Sequence, residues 1–214
     1  MGKQVDKCMI ISGSPERDID FINSNIDRDS YIICADSGYL CCRELNIIPD
    51  MIIGDFDSSS YPEIDTDIVK LNNEKAYTDT FHCVIEAVNK NFKYIEIFNA
   101  IGNRVDHTYS NILCLNYCKN NNVECSILNR NNRLSLITSQ KKIYKDYDNF
   151  SLFAYGEKCR GVKIEGAYYT AGFYDKDLLD FELDSQFGVS NFVCDDYAVV
   201  SVKKGCLLLI ESND

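Results

Sequence analysis

Over the first 130 residues, short β-branched runs alternate with helix-like stretches, and this alternation constrains the fold more than any other feature of the chain. CMIIS (8–12), YIICA (31–35), MIIG (51–54), YIEIF (94–98) and VECSIL (123–128) read as strands. SGYLCCRELN (37–46), TDTFHCVIEAVNK (78–90) and DHTYSNILCLNYCK (106–119) read as helices. In the last, Ile112, Leu115 and Cys118 recur every three residues with Tyr109 one turn earlier, which is one apolar face of a helix. Such alternation predicts an α/β half with a mainly parallel sheet covered by helices on both faces, and it puts chemistry at the carboxyl ends of the strands.

Past residue 130 the pattern changes to short alternating segments punctuated by Gly, Asp and Asn: NRLSLIT, FSLFAYG, RGVKIEG, AYYTAGF, DFELD, GVSNFV, YAVVSV and CLLLIE. They predict an antiparallel β-sandwich or barrel without a long helix. The boundary falls near Asn131, dividing the chain into 1–130 and 131–214.

A formal net charge of −11 argues against nucleic acid or an anionic membrane as partner, since phosphate backbones need a basic face. A phosphorylated small molecule remains compatible if a divalent metal stands between the charges. No apolar run approaches the roughly 18 residues of a spanning helix, and the N-terminal run is too short for a signal-peptide core. Asp6 stands where a myristoylation site at Gly2 would need Ser or Thr. The 11 cysteines are an odd number with no C-x-x-C pair, and His82 and His107 are the only histidines. Zinc spacing is therefore absent, and the cysteines read as small apolar residues of a reduced, cytoplasmic protein.

The segment PDMIIGDFDSSS (49–60) runs an apolar strand into Asp55 and Asp57. On a continuing strand, alternate residues point the same way, so the two carboxylates would project together. A bound cation relieves their repulsion, and hard oxygen ligands suit Mg²⁺. A solvated Asp- and Ser-rich turn is the plainer alternative. ICADSGYL (33–40) puts Asp36, Ser37 and Gly38 at a helix head, where backbone N–H groups suit a phosphate. AYTDTF (76–81) offers Thr78 and Asp79 at another helix start, where capping also accounts for them. AIGNRVDHTYSN (100–111) gathers Arg104, Asp106 and His107 after a strand. Arg104 suits a bidentate phosphate contact, Asp106 a cap, metal or proton, and His107 a hydrogen bond at the helix start.

ADSGYL, PDMIIGDFDS, KAYTDT and GNRVDH, in this order, together with GVKIEGAYY (161–169), GVSN (188–191) and VKKGCLLLIE, resemble the thiamine pyrophosphokinase (thiamin diphosphokinase) family over nearly the whole chain. The resemblance implies a homodimeric, Mg²⁺-dependent enzyme that moves diphosphate from ATP to thiamine, with thiamine held where subunits meet. It implies a nucleotide-binding first half and, as the second half, a thiamine-binding β-sandwich. On the matching positions, Asp55, Asp57 and Asp79 would hold Mg²⁺. Asp36, Ser37, Gly38, Thr78, Arg104 and His107 would belong to the ATP site. Asp106 would lie near the reacting hydroxyl, and Ser190 and Asn191 would help bind thiamine.

Ala76 and Phe81 stand where the family usually carries acidic residues, and Ser37 where a second glycine is usual. Neighbouring Glu74 is one source of compensation. A metal-dependent phosphohydrolase using the same aspartates, and a thiamine- or nucleotide-binding paralogue without turnover, are the alternatives.

Overall fold

The computed structural model describes residues 6–57 and 61–214; Gly2 and Ser58, the last residue of GDFDS, lie outside them. The chain divides into two compact units, one up to Arg130 and one from Asn131 to Asp214.

In the first unit, β1 (Lys7–Ile11), α1 (Ile19–Asn25), β2 (Tyr31–Ala35), α2 (Tyr39–Glu44), β3 (Met51–Gly54), β4 (Asp67–Lys70), α3 (Asp79–Asn89), β5 (Tyr94–Phe98), α4 (Val105–Asn120) and β6 (Glu124–Leu128) follow in order. The strands lie side by side as β4-β3-β2-β1-β5-β6, and every neighbouring pair is parallel. Parallel strands bury both faces, which is why β1, β2 and β3 are near-continuous apolar runs rather than alternating ones. Met9, Ile11, Cys34, Ile52 and Phe98 pack with Ile22 of α1 and with Tyr39, Cys41 and Cys42 of α2. Elsewhere, α3 and α4 pack on each other, α3 also on β1 to β3 and α4 on β6. Their buried apolar residues are Cys83, Val84 and Ala87 on α3 and Cys114, Leu115 and Cys118 on α4, each a stripe along one helix face.

The strands expected in this half are present, with two additions. β4 carries Asp67 and Lys70 and is largely exposed at the sheet edge, so its composition hides it. α1 is only seven residues long, opened by the Asp18 carboxylate accepting from the Phe21 N–H. The helix expected over 37–46 is a single 3-10 turn, Asp36–Gly38, followed by the shorter α2.

The second unit contains β7 (Asn132–Ile137), β8 (Gln140–Tyr144), β9 (Asn149–Ala154), β10 (Cys159–Glu165), β11 (Leu179–Phe181), β12 (Tyr197–Ser201) and β13 (Leu207–Ser212). β7, β13 and β9 pair antiparallel in that order, and β11, β10, β12 and β8 form a second antiparallel set. Leu207 and Leu209 of β13 and Phe150 and Leu152 of β9 meet Val162, Ile164, Ala198 and Val200 from the other set, the buried interior of a sandwich. AYYTAGF is not a strand; it runs into a 3-10 turn, Gly172–Tyr174. GVSNFV contributes only isolated bridges, Asn191 to Phe150 and Val193 to Ala167. β8, with its two lysines, goes unannounced by the alternation rule.

Candidate active site

In the first unit the chain winds from β1 outward to β4, then crosses back to lay β5 on the opposite side of β1. Such a reversal opens a crevice at the carboxyl ends of the strands. A cleft of about 680 Å³ lies there, walled by residues that follow β1, β2, β3 and β5 and by the first turns of α3 and α4.

Close backbone approach builds this wall. A Cβ on Gly38 would sit 2.2 Å from the Ile11 carbonyl oxygen, and one on Gly54 would sit 2.9 Å from the Asp36 Cα, so both positions need glycine. Asn99 donates to the carbonyls of Ser12 and Ser14, 2.9 Å each, tying the loop after β5 to the loop after β1. The Ser12 hydroxyl meets that of Thr80 at 2.6 Å, tying the same loop to α3.

Asp55 and Asp57 reach the cleft by a route other than the expected one. β3 stops at Gly54, and Phe56 takes a left-handed φ of 57°, so the two carboxylates do not share a pleat. The Asp57 N–H donates to Asp55 Oδ1 at 3.3 Å, a tight turn that brings both acids round. A left-handed phenylalanine costs about 1 kcal/mol or more, and such strain concentrates at functional sites.

Lys75 holds the centre of the acidic wall. Its Nζ donates to Asp79 Oδ1 at 2.8 Å and also bonds Asp55 Oδ2. The Lys75 hydrogen bond holds the Asp55 carboxyl below its ordinary range. Burial pushes Asp79 up despite the same lysine, with Asp55 and Asp36 adding repulsion. Burial opposes the charge on Lys75, yet its two carboxylate partners keep the ammonium above its ordinary value.

At the rim, Arg104 grips Asp106 through two bonds, Nε to Oδ1 at 3.2 Å and a terminal nitrogen to Oδ2 at 2.5 Å. That guanidinium pulls the Asp106 carboxyl down to about 2. Thr78 caps α3 by accepting from the Phe81 N–H at 3.2 Å, so the capping reading holds for its hydroxyl.

Of the residues singled out by sequence, Asp36, Asp55, Asp57, Thr78, Asp79, Arg104 and His107 line this one cleft. Ser37 instead donates to the Gly13 carbonyl at 3.1 Å, and Gly38 packs behind the wall. Ala76 lines the cleft, whereas Phe81 sits in a ring cluster with Tyr77 and Tyr117, centroids 5.0 Å away in each case. Glu74 is exposed. Ser12, Lys75, Thr80, Asn99 and Asn111 also line it. Lys75, Thr80 and Asn111 lie inside the KAYTDT and AIGNRVDHTYSN stretches without being assigned a role there, and Ser12 and Asn99 lie outside the site stretches. Lys75 alone carries a readable signal, four residues before Asp79 at a helix start.

Ser190 and Asn191 belong to the second unit. The Asn191 side chain is committed to backbone: it donates to the Tyr169 carbonyl at 2.8 Å and accepts from the N–H groups of Tyr169 and Phe192 at 2.9 Å. Ser190 has a φ of 56°, and its N–H donates to Ser151 Oγ at 3.1 Å. These bonds hold an aromatic surface in which Tyr168 and Phe192 stack at 4.9 Å while both rings remain exposed.

Among the described residues, no three His, Cys, Asp or Glu side chains converge closely enough to hold a metal ion by themselves. The donors in the cleft are hard carboxylate oxygens, which suit Mg²⁺ held by one or two carboxylates with phosphate oxygens completing its shell. No helix among the described residues is long and apolar enough to cross a membrane.

Comparison with known proteins agrees with this architecture. Residues 22–127 match the model of the thiamin pyrophosphokinase catalytic domain. A thiamine pyrophosphokinase of Bacillus subtilis (strain 168) is 26% identical over 96% of this chain and 98% of its own. The crystal structure of a thiamin pyrophosphokinase from Geobacillus thermodenitrificans superposes with a TM-score of 0.84 at 23% identity, over 97% of this chain and 98% of that one. The thiamin pyrophosphokinase from Candida albicans gives 0.72 at 18% identity, over 98% and 90%. With the catalytic-domain match running over residues 22–127 and the fold shared over nearly all its length, the comparisons support the thiamin pyrophosphokinase family for this chain.

Proposed function

We propose that this enzyme transfers the terminal diphosphate of ATP to the hydroxyl of thiamine, giving thiamine diphosphate and AMP. The observation that carries the reading is the single cleft at the sheet's reversal point, where Asp36, Asp55, Asp57 and Asp79 face Lys75 and Arg104. Such a mixture is what a polyphosphate tail with its cation requires.

Asp55, Asp57 and Asp79 would hold Mg²⁺, which when bound neutralises phosphate charge and acts as Lewis acid. Arg104 offers a planar pair of donors, now satisfied by Asp106, that matches a phosphate's oxygens equally well. An Asp106 carboxyl near 2 is a feeble proton acceptor at neutral pH, so its part is to aim Arg104. Diphosphoryl transfer depends mainly on positioning and charge neutralisation, which this arrangement supplies without a strong base.

The second unit would receive thiamine. Its exposed Tyr168 and Phe192 rings offer faces for a cationic heterocycle, held in register by Asn191. A homodimer in the cytoplasm, with thiamine between subunits, completes the proposal. Ala76 in the cleft wall favours a second reading, a binding protein without turnover.

Purified protein with Mg²⁺ and ATP should release AMP only when thiamine is present, as followed by chromatography of the nucleotides. AMP or phosphate release independent of thiamine would support a phosphohydrolase, and thiamine binding without AMP the non-catalytic reading.

A further inference from the structure

Lys75 lies in the stretch between β4 and α3, outside any helix or strand, and carries a long, rotatable side chain. That side chain is only 15% exposed, and the Asp55 and Asp79 carboxylates it joins are 9% and 22% exposed. The oxygens it occupies, Asp55 Oδ2 and Asp79 Oδ1, belong to two of the acids with which a divalent ion would have to bond. An ammonium and a metal cannot both sit against the same pair at full strength, because like charges at this distance repel strongly.

We propose that Lys75 is a positioning residue that stands in for the metal: it closes the Asp55–Asp79 pair against free divalent cations and yields it when a nucleotide arrives. The inference rests on the nucleotide reading of this cleft. Phosphate oxygens would give the ammonium new partners and would bring further ligands to the metal, so both cations gain places at once. Metal and nucleotide affinities are then coupled, and by linkage each raises the other by the same factor. Burial of the ammonium favours its staying paired with one carboxylate or phosphate at all times.

The test measures Mn²⁺ binding to the full chain by paramagnetic resonance, without nucleotide and then with an unreactive ATP analogue. Without nucleotide, Lys75→Met should bind Mn²⁺ about tenfold more tightly than wild type or better, the usual reach of one neighbouring charge. Lys75→Arg, which keeps the charge, should stay at the wild-type value. Adding Asp55→Asn to Lys75→Met should erase the gain and so locate the ion. With the analogue, wild type should tighten and approach the methionine variant. Equal or weaker Mn²⁺ binding by Lys75→Met overturns the proposal. Lys75→Gln, checked for an unchanged circular dichroism spectrum, decides the same question should the methionine variant not fold. A gain in Lys75→Met with no response to the analogue in either protein would sink the nucleotide reading while leaving the competition at Asp55 and Asp79 established.

Discussion

Glu211 is a carboxylate almost wholly inside the sandwich, its side chain 3% exposed, with Oε2 lacking a hydrogen-bond partner and Arg133 3.5 Å from Oε1. Burial pushes it above the ordinary 4.5 even though Arg133 and Lys141 pull the other way. A carboxyl with a raised folded-state value binds its proton more tightly when folded. Its stabilising contribution is therefore complete below 4.5 and is lost as pH rises through the raised value. Glu211→Gln should flatten that loss: urea midpoints of the variant should fall less than those of wild type from about pH 4 to pH 7. Glu211 is invisible in the sequence because CLLLIE reads as any alternating strand. The strand-end aspartates stand out because several acidic loops, at Asp36, Asp55 and Asp57, Asp79 and Asp106, follow strands or open helices in one α/β half, although each alone reads as a turn or a cap. Asn191 is readable as a position but not as a role, because whether an amide faces ligand or backbone is decided by where Tyr169 lies.

Among the elements, the legible ones are those with length and periodicity. β1, β2, β3 and β5 announce themselves as apolar runs, and α3 and α4 by their stripes. The seven residues of α1 offer too little periodicity, and β4 and β8 are too charged to look like strands. The 3-10 turn after β2 reads as helix in the sequence because its cause is tertiary: Gly38 is pressed against the Ile11 carbonyl. That contact yields a prediction. Gly38→Ala places a methyl into a backbone oxygen that belongs to the central strand, so β1 or the turn must shift. We expect a loss of about 1–3 kcal/mol in guanidinium unfolding, together with weaker nucleotide binding by calorimetry, since Asp36 moves with the turn.

For the molecule as a whole, the switch from strand–helix alternation to strand-only segments is visible near Asn131, because period and punctuation change together there. Cysteine usage is equally readable: all eleven are free thiols, nine are buried, Cys125 is partly covered and Cys194 is exposed. Burial raises Cys41 to about 11 and Cys114 to about 12, which leaves them inert. Native protein should therefore show one fast-reacting thiol with Ellman's reagent and all eleven only in guanidinium.

Ser12 and Asn99, which knit the cleft together, are 87 residues apart in the chain. Loops so distant in order meet only after the intervening strands have been laid down. During synthesis, the cleft must then come late: a ribosome that has delivered three or four strands has made a partial sheet whose crevice still lacks the wall that follows β5.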